Sequence, residues 1–266
     1  MKIKEINFRV QLNYPWCIRL IDSESKFLSH LDKDNLNQSP VFPLANSLLF
    51  PHAVQALHIF EPRYVKMVRD SLRGNRYISM ALLKPGYEAD YHGSPEVYST
   101  ACLGKIIDYR ELPDDKFHLA LQGLAAVDLV SEKQTADGFR IFDIQLRDYA
   151  GDMDVNQQSA TRQGLYELLR AYFLLQSGLE TDPEALCSDM SFSSLVDNLC
   201  FLIPLDGDRK IKLLRSLRVS ERSFLLQSFL EQEIKLMQEL KLSGKGSSGA
   251  QLGPFYPRSG PVLHDI

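Results

Sequence analysis

Apolar positions follow two different periods along this chain. Up to about residue 150 they come in short alternating runs, and after that they recur every three to four residues. From Val41 the text "VFPLANSLLFPHAVQALHIF" is apolar and rich in strand formers, interrupted by Pro43 and Pro51. A proline supplies no backbone donor, so these segments predict short or edge strands. A helix follows. Tyr64, Met67, Val68 and Leu72 share one face, Arg63, Lys66, Arg69, Asp70 and Arg73 the other, and Gly74 supplies the stop.

Strand patterns then resume. "YISMALL" (77–83) is followed by a polar loop over 84–98. "STACLGKIIDYREL" (99–112) and "FHLALQG" (117–123) flank the turn "PDDK" and predict a hairpin. Gly104 inside the first of these strands suggests a bulge or a close backbone approach. "AAVDLVSEKQ" and "FRIFDIQLRDY" form a second pair around "TADG". Short antiparallel strands with one helix suggest a barrel-like sheet over residues 41–150.

The helical part predicts four helices packed as a bundle. The first (159–178) shows Leu165, Leu168, Leu169, Tyr172 and Phe173 on one face, and the second spans 191–203 up to Pro204. A short helix covers 208–217. The last is expected to start at Ser220 as N-cap, with Val219 and Phe224 as a hydrophobic staple, and to reach Leu242. The resulting map is α+β. Residues 1–40 form an extension, 41–150 a β-rich part, 151–242 a helical part and 243–266 a Gly/Ser/Pro-rich tail expected to be mobile.

Composition narrows the function classes. The chain has 266 residues, is 44% hydrophobic and carries a net charge of −4. An acidic balance argues against a dedicated nucleic-acid binder. No apolar run reaches the roughly 18 to 20 residues of a membrane span. The N-terminus also lacks the apolar core of a signal peptide, so the expectation is a soluble cytoplasmic protein. Cys17, Cys102, Cys187 and Cys200 show no metal-binding spacing and are expected to be free, mostly buried thiols.

Catalytic signatures are lacking. No His pair stands at helical chelating spacing, so no metal site is expected, and no G-x-S-x-G or Walker sequence occurs. "GKGSSG" (244–249) copies a dinucleotide fingerprint, but a helix precedes it and prolines follow, so no nucleotide cofactor is expected. His58, in an apolar strand, reads as a hydrogen-bonded core or boundary residue. In "HIFEPRY", Pro62 suits a first helical turn, Glu61 sits where an N-cap would, Arg63 can pair with that acid, and Tyr64 opens the apolar face. These residues read as a strand-to-helix junction rather than as an active site.

These same residues carry a resemblance. Phe42-Pro43-Leu44, Leu49-Phe50-Pro51 and Ile59 through Tyr64 resemble the opening of the N-terminal, substrate-binding domain of Lon-type ATP-dependent proteases. Gly104 with Ile106, Gly123, and Arg222 at the start of the last helix fit further parts of its pattern. Ala125 and Ala126 depart from it, because the family usually has an arginine shortly after the glycine that Gly123 matches. The resemblance covers roughly residues 41–241 and implies a PUA-like pseudo β-barrel followed by a helical bundle. It also implies a non-catalytic protein-binding module, lacking the family's ATPase and Ser–Lys peptidase parts. The expected partners are unfolded or apolar polypeptide segments, together with a separate protease or chaperone. Phe50, Pro51 and Phe60 are the expected contact surface, while Glu61, Pro62, Arg63, Tyr64, Gly104 and Gly123 are expected to be structural. Two alternatives stay open, an RNA-binding PUA-like module and an accessory subunit of a separate protease.

Overall fold

The alternating runs condense into a six-stranded mixed sheet, and the 3.6-period segments become helices packed on it. The computed structural model describes residues 36–90, 93–135, 138–148, 152–178 and 180–243. Most of the N-terminal extension, the tail with "GKGSSG", and Cys17 lie outside the described residues. The strands are β1 (Gln38–Leu44), β2 (Val54–Ile59), β3 (Tyr77–Leu83), β4 (Val97–Leu112), β5 (Lys116–Gln134) and β6 (Arg140–Leu146). The helices are α1 (Pro62–Arg73), α2 (Val155–Ser177), α3 (Pro183–Cys187), α4 (Phe192–Leu202), α5 (Gly207–Arg215) and α6 (Val219–Leu242).

The strand order is β2-β5-β4-β3-β1-β6, and β5 also pairs with β6. That last pairing closes β5, β4, β3, β1 and β6 into a ring and leaves β2 outside it. β5 serves both ends because it is 19 residues long. Its first half pairs with β2 and its second half with β6. Most pairs are antiparallel, as the short runs suggest, but the sheet is mixed. β1 runs parallel to β3, with β2 and α1 forming the crossover between them. A crossover of that length satisfies the requirement of a parallel pair, which no local pattern reveals. Prolines fit inside β1 because each half of that strand has one neighbour. Pro40 lies in the half beside β6 and Pro43 in the half beside β3.

β3 shows how two cores are fed. All seven of its residues are buried. Tyr77 and Ala81 join a smaller cluster with Leu36, Val41, Leu103, Val127 and Phe142. Ile78, Met80 and Leu82 join a larger cluster that continues through α1 and the helices to Met237. The strands and helices therefore share one apolar interface.

Helix starts follow from caps. Asp154 and Gln157 form a capping box, which starts α2 at Val155, ahead of the expected position. Asp182, Ser191 and Asp206 each accept a bond from a first-turn backbone N–H of α3, α4 and α5. α3 adds a fifth helix to the four expected here. α6 corrects a further expectation. It begins at Val219 with Arg218 at its N-cap, and the staple does not form, because Phe224 is 69% exposed. Ser220 instead gives its N–H and hydroxyl to the Asp152 carboxylate, which caps the helix from the β6–α2 connection.

Candidate recognition surface at the barrel-to-helix junction

The "LLFPHA" corner is built around a missing side chain. A Cβ on Gly123 would stand 1.9 Å from the Phe50 carbonyl oxygen, so only glycine admits that approach. His52 donates its N–H to the Gly123 carbonyl, and Gly123 donates back to the Ala53 carbonyl, at 3.0 and 2.8 Å. The corner holds His52 at a φ of +63°, a conformation uncommon outside glycine. Gly104 combines a bulge with a close approach. β4 shifts register at that residue, and a Cβ there would come within 2.7 Å of the Leu121 side chain.

His52 opens a polar network into the helices. Its Nδ1–H donates to Asp197 Oδ2 at 2.8 Å, and Arg222 Nη1 donates to Asp197 Oδ1 at 2.5 Å. Nε and Nη2 of Arg222 both donate to the Ser216 carbonyl. Neither Asp197 nor Arg222 has any exposed side-chain surface. One carboxylate thus binds the barrel, α4 and α6 together. Sequence reasoning misses Asp197. Its available signal is an acid in the middle of the apolar stretch "LVDNLCFL", where an unpaired charge would be costly.

The junction residues behave as a helix start. Glu61 occupies the N-cap without a side-chain cap bond, and Arg63 Nε donates to its carboxylate at 3.1 Å. Pro62 is the first helical residue. Tyr64 is buried and meets the Phe42 ring edge-on at 4.7 Å, with the Arg63 guanidinium 4.7 Å from its centroid.

The expected contact surface is only partly there. Phe50 has no exposed surface and Pro51 is also buried, so neither offers apolar area to a partner. The whole run Leu48-Leu49-Phe50 is buried in the shared core. Phe60 is different, at 49% exposed beside the end of β2. His58 is exposed too, contrary to the core or boundary reading. It stacks on Phe60 at 5.8 Å and meets His118 edge-on at 4.8 Å. Partial burial, then His118 and Lys116, pull the His58 imidazole below its ordinary value.

Other titratable groups tie elements together. Tyr98 donates to Asp208 at 2.5 Å, and burial, then that carboxylate, pushes its phenol up to about 12. Arg215 reaches back to Thr100 of β4 at 3.2 Å. Lys210 is buried, donates to the Phe201 carbonyl at 2.7 Å and is pulled down to about 8 by desolvation. Burial raises the Cys102, Cys187 and Cys200 thiols, which keeps them protonated and unreactive. Among the described residues, no three His, Cys, Asp or Glu side chains gather to hold a metal ion, and no helix is long and apolar enough to cross a membrane.

The family model described as "ATP-dependent protease La (LON) substrate-binding domain" matches residues 38–232 of the chain. The Lon protease of Anaeromyxobacter dehalogenans is 23% identical over 226 residues, covering 82% of this chain and 26% of that protein. The Lon protease of Azorhizobium caulinodans is 21% identical over 200 residues, covering 75% of this chain and 23% of that protein. The chain spans about a quarter of the length of these curated relatives. The N-terminal domain of Lon protease from Mycobacterium avium complex superposes with a TM-score of 0.55 at 13% identity, covering 73% of this chain and 98% of that one. A Lon N-terminal domain protein from Xanthomonas campestris gives 0.50 at 20% identity, covering 72% and 97%. These likenesses show the fold, a strand ring followed by a helical part.

Proposed function

We infer the function from one premise: this chain belongs to the ATP-dependent protease La (LON) substrate-binding domain family. On that premise we propose that it works by binding rather than by catalysis. Its ligands are unfolded polypeptides or exposed apolar segments, held for a separate protease or chaperone. The observation that carries this reading is the family match over residues 38–232. The exposed Phe60 ring beside a strand that ends the sheet among the described residues supports it, since exposed apolar surface marks interaction sites. With Phe50 and Pro51 buried, Phe60 alone remains of the three contact residues expected from the sequence. The test is titration of the purified chain with a reduced, carboxymethylated protein that cannot fold. Saturable binding supports the reading, and no binding at about 100 μM, about −5.5 kcal/mol, contradicts it.

A further inference from the structure

We propose that the outer edge of β2 receives the polypeptide as an added, antiparallel or parallel strand, which rests on the binding function above. Among the described residues β2 ends the sheet, with β5 on one side only. Natural edges are blunted with lysine, proline or bulges. β2 reads Val-Gln-Ala-Leu-His-Ile and carries none of these.

The orientation of its backbone follows from the corner. Gly123 donates to the Ala53 carbonyl, so Ala53 faces β5 across a hydrogen-bonded position. Antiparallel ladders alternate, and the register runs unbroken from Val54↔Gln122 to Ile59↔Phe117. Ala56 and His58 therefore turn their N–H and C=O away from β5. One side chain already exploits this. Gln55 Nε2 donates to the Ala56 carbonyl at 3.0 Å, and Ser47 holds the Gln55 carboxamide oxygen at 3.1 Å. A carboxamide is chemically a peptide group, so Gln55 occupies the place of one donor of an incoming strand.

Charge selects the occupant. His58 pairs across the ladder with His118, and Lys116, on the same face of β5, lies close enough to act on the His58 imidazole, so it puts a positive charge beside this edge. Asp108 stands one row further along, opposite Ala120. The nearby acids Glu111 and Asp115 are both engaged by Arg69. The segment that fits is extended, with an apolar side chain against Phe60 and an acidic side chain within reach of Lys116.

The probes are two extended peptides of about ten residues built on the repeat Val-Ser-Glu-Ser or Val-Ser-Lys-Ser, which puts Val and the charged residue on one face. Binding is read on the intact chain, together with amide hydrogen exchange. The Val/Glu peptide is expected to bind at least tenfold tighter and to protect the amides of Ala56 and His58. Ala56→Pro, which removes an outward N–H that β5 does not use, is expected to weaken binding at least tenfold with little change in Tm. Unchanged binding in this variant, with the wild type still binding unfolded protein, overturns the edge while leaving the proposed function intact. No binding of any unfolded polypeptide by the wild type overturns both. Protection of Ala56 and His58 without peptide assigns the edge elsewhere and also overturns the proposal. Loss of that protection on dilution points to a second copy, and its persistence points to another part of this chain. If Ala56→Pro does not fold, wild-type exchange decides: protection confined to other amides sinks the proposal.

Discussion

Asp197 and Arg222 form an ion pair at 2.5 Å in which neither side chain has exposed surface. His52 takes the second oxygen of the same carboxylate. Truncating one member leaves a buried charge without its partner. Asp197→Ala or Arg222→Ala should therefore cost about 3–5 kcal/mol in urea unfolding. The double variant Asp197→Ala/Arg222→Ala should lose much less than the sum of the two. Additive losses would show that the pair is not coupled.

The two tight glycines should rank by what they face. A methyl on Gly123 meets backbone, which cannot yield, whereas a methyl on Gly104 meets the end of the Leu121 side chain. Gly104→Ala should cost about 1–3 kcal/mol and Gly123→Ala more than that. Equal thermal stabilities of the two variants would contradict the close approach at Phe50.

The junction should separate stability from binding. Tyr64→Ala removes a buried ring and should cost about 3–5 kcal/mol. Pro62→Ala should cost under about 1 kcal/mol, chiefly through the unfolded chain. Chemical unfolding measures both. A Tyr64→Ala variant of native stability that no longer binds polypeptide would move Tyr64 from the scaffold to the contact surface.

Lys210 gives a pH signature. Its folded value of about 8 lies below the ordinary value of 10.5. Between those values the unfolded chain binds more protons than the folded one, so stability rises with pH. Below about pH 8 the cost of burying the charge is present in full, and it is relieved as the pH climbs toward 10.5. The full difference is about 3 kcal/mol. Wild type should therefore gain stability relative to Lys210→Met between about pH 7.5 and 9.5. Parallel pH profiles of the two proteins would refute the buried charge.

Local features are legible in the sequence. α1 can be read because Tyr64, Met67 and Val68 recur on one face, and the β4–β5 hairpin because "PDDK" separates two strand runs. The parallel pairing of β1 with β3 is hidden because β2 and α1 lie between them in sequence. The His52–Asp197–Arg222 network joins residues 145 and 25 positions apart, beyond any helical or strand period. Phe50 suggests surface in sequence, although "LLF" does not alternate, which itself suits burial on all sides. Phe60 stays exposed because it follows the last strand residue and precedes the helix. The start of α6 escapes a local reading because its cap comes from Asp152, a residue 68 positions upstream.

The most direct test is the affinity of the purified chain for a reduced, carboxymethylated protein, measured beside Phe60→Ser. The wild type should bind saturably in the range of about 10–100 μM, and Phe60→Ser should bind at least tenfold more weakly, about 1.4 kcal/mol, at unchanged Tm. Equal affinity of the two proteins would contradict the recognition surface, and no wild-type binding would contradict the function itself.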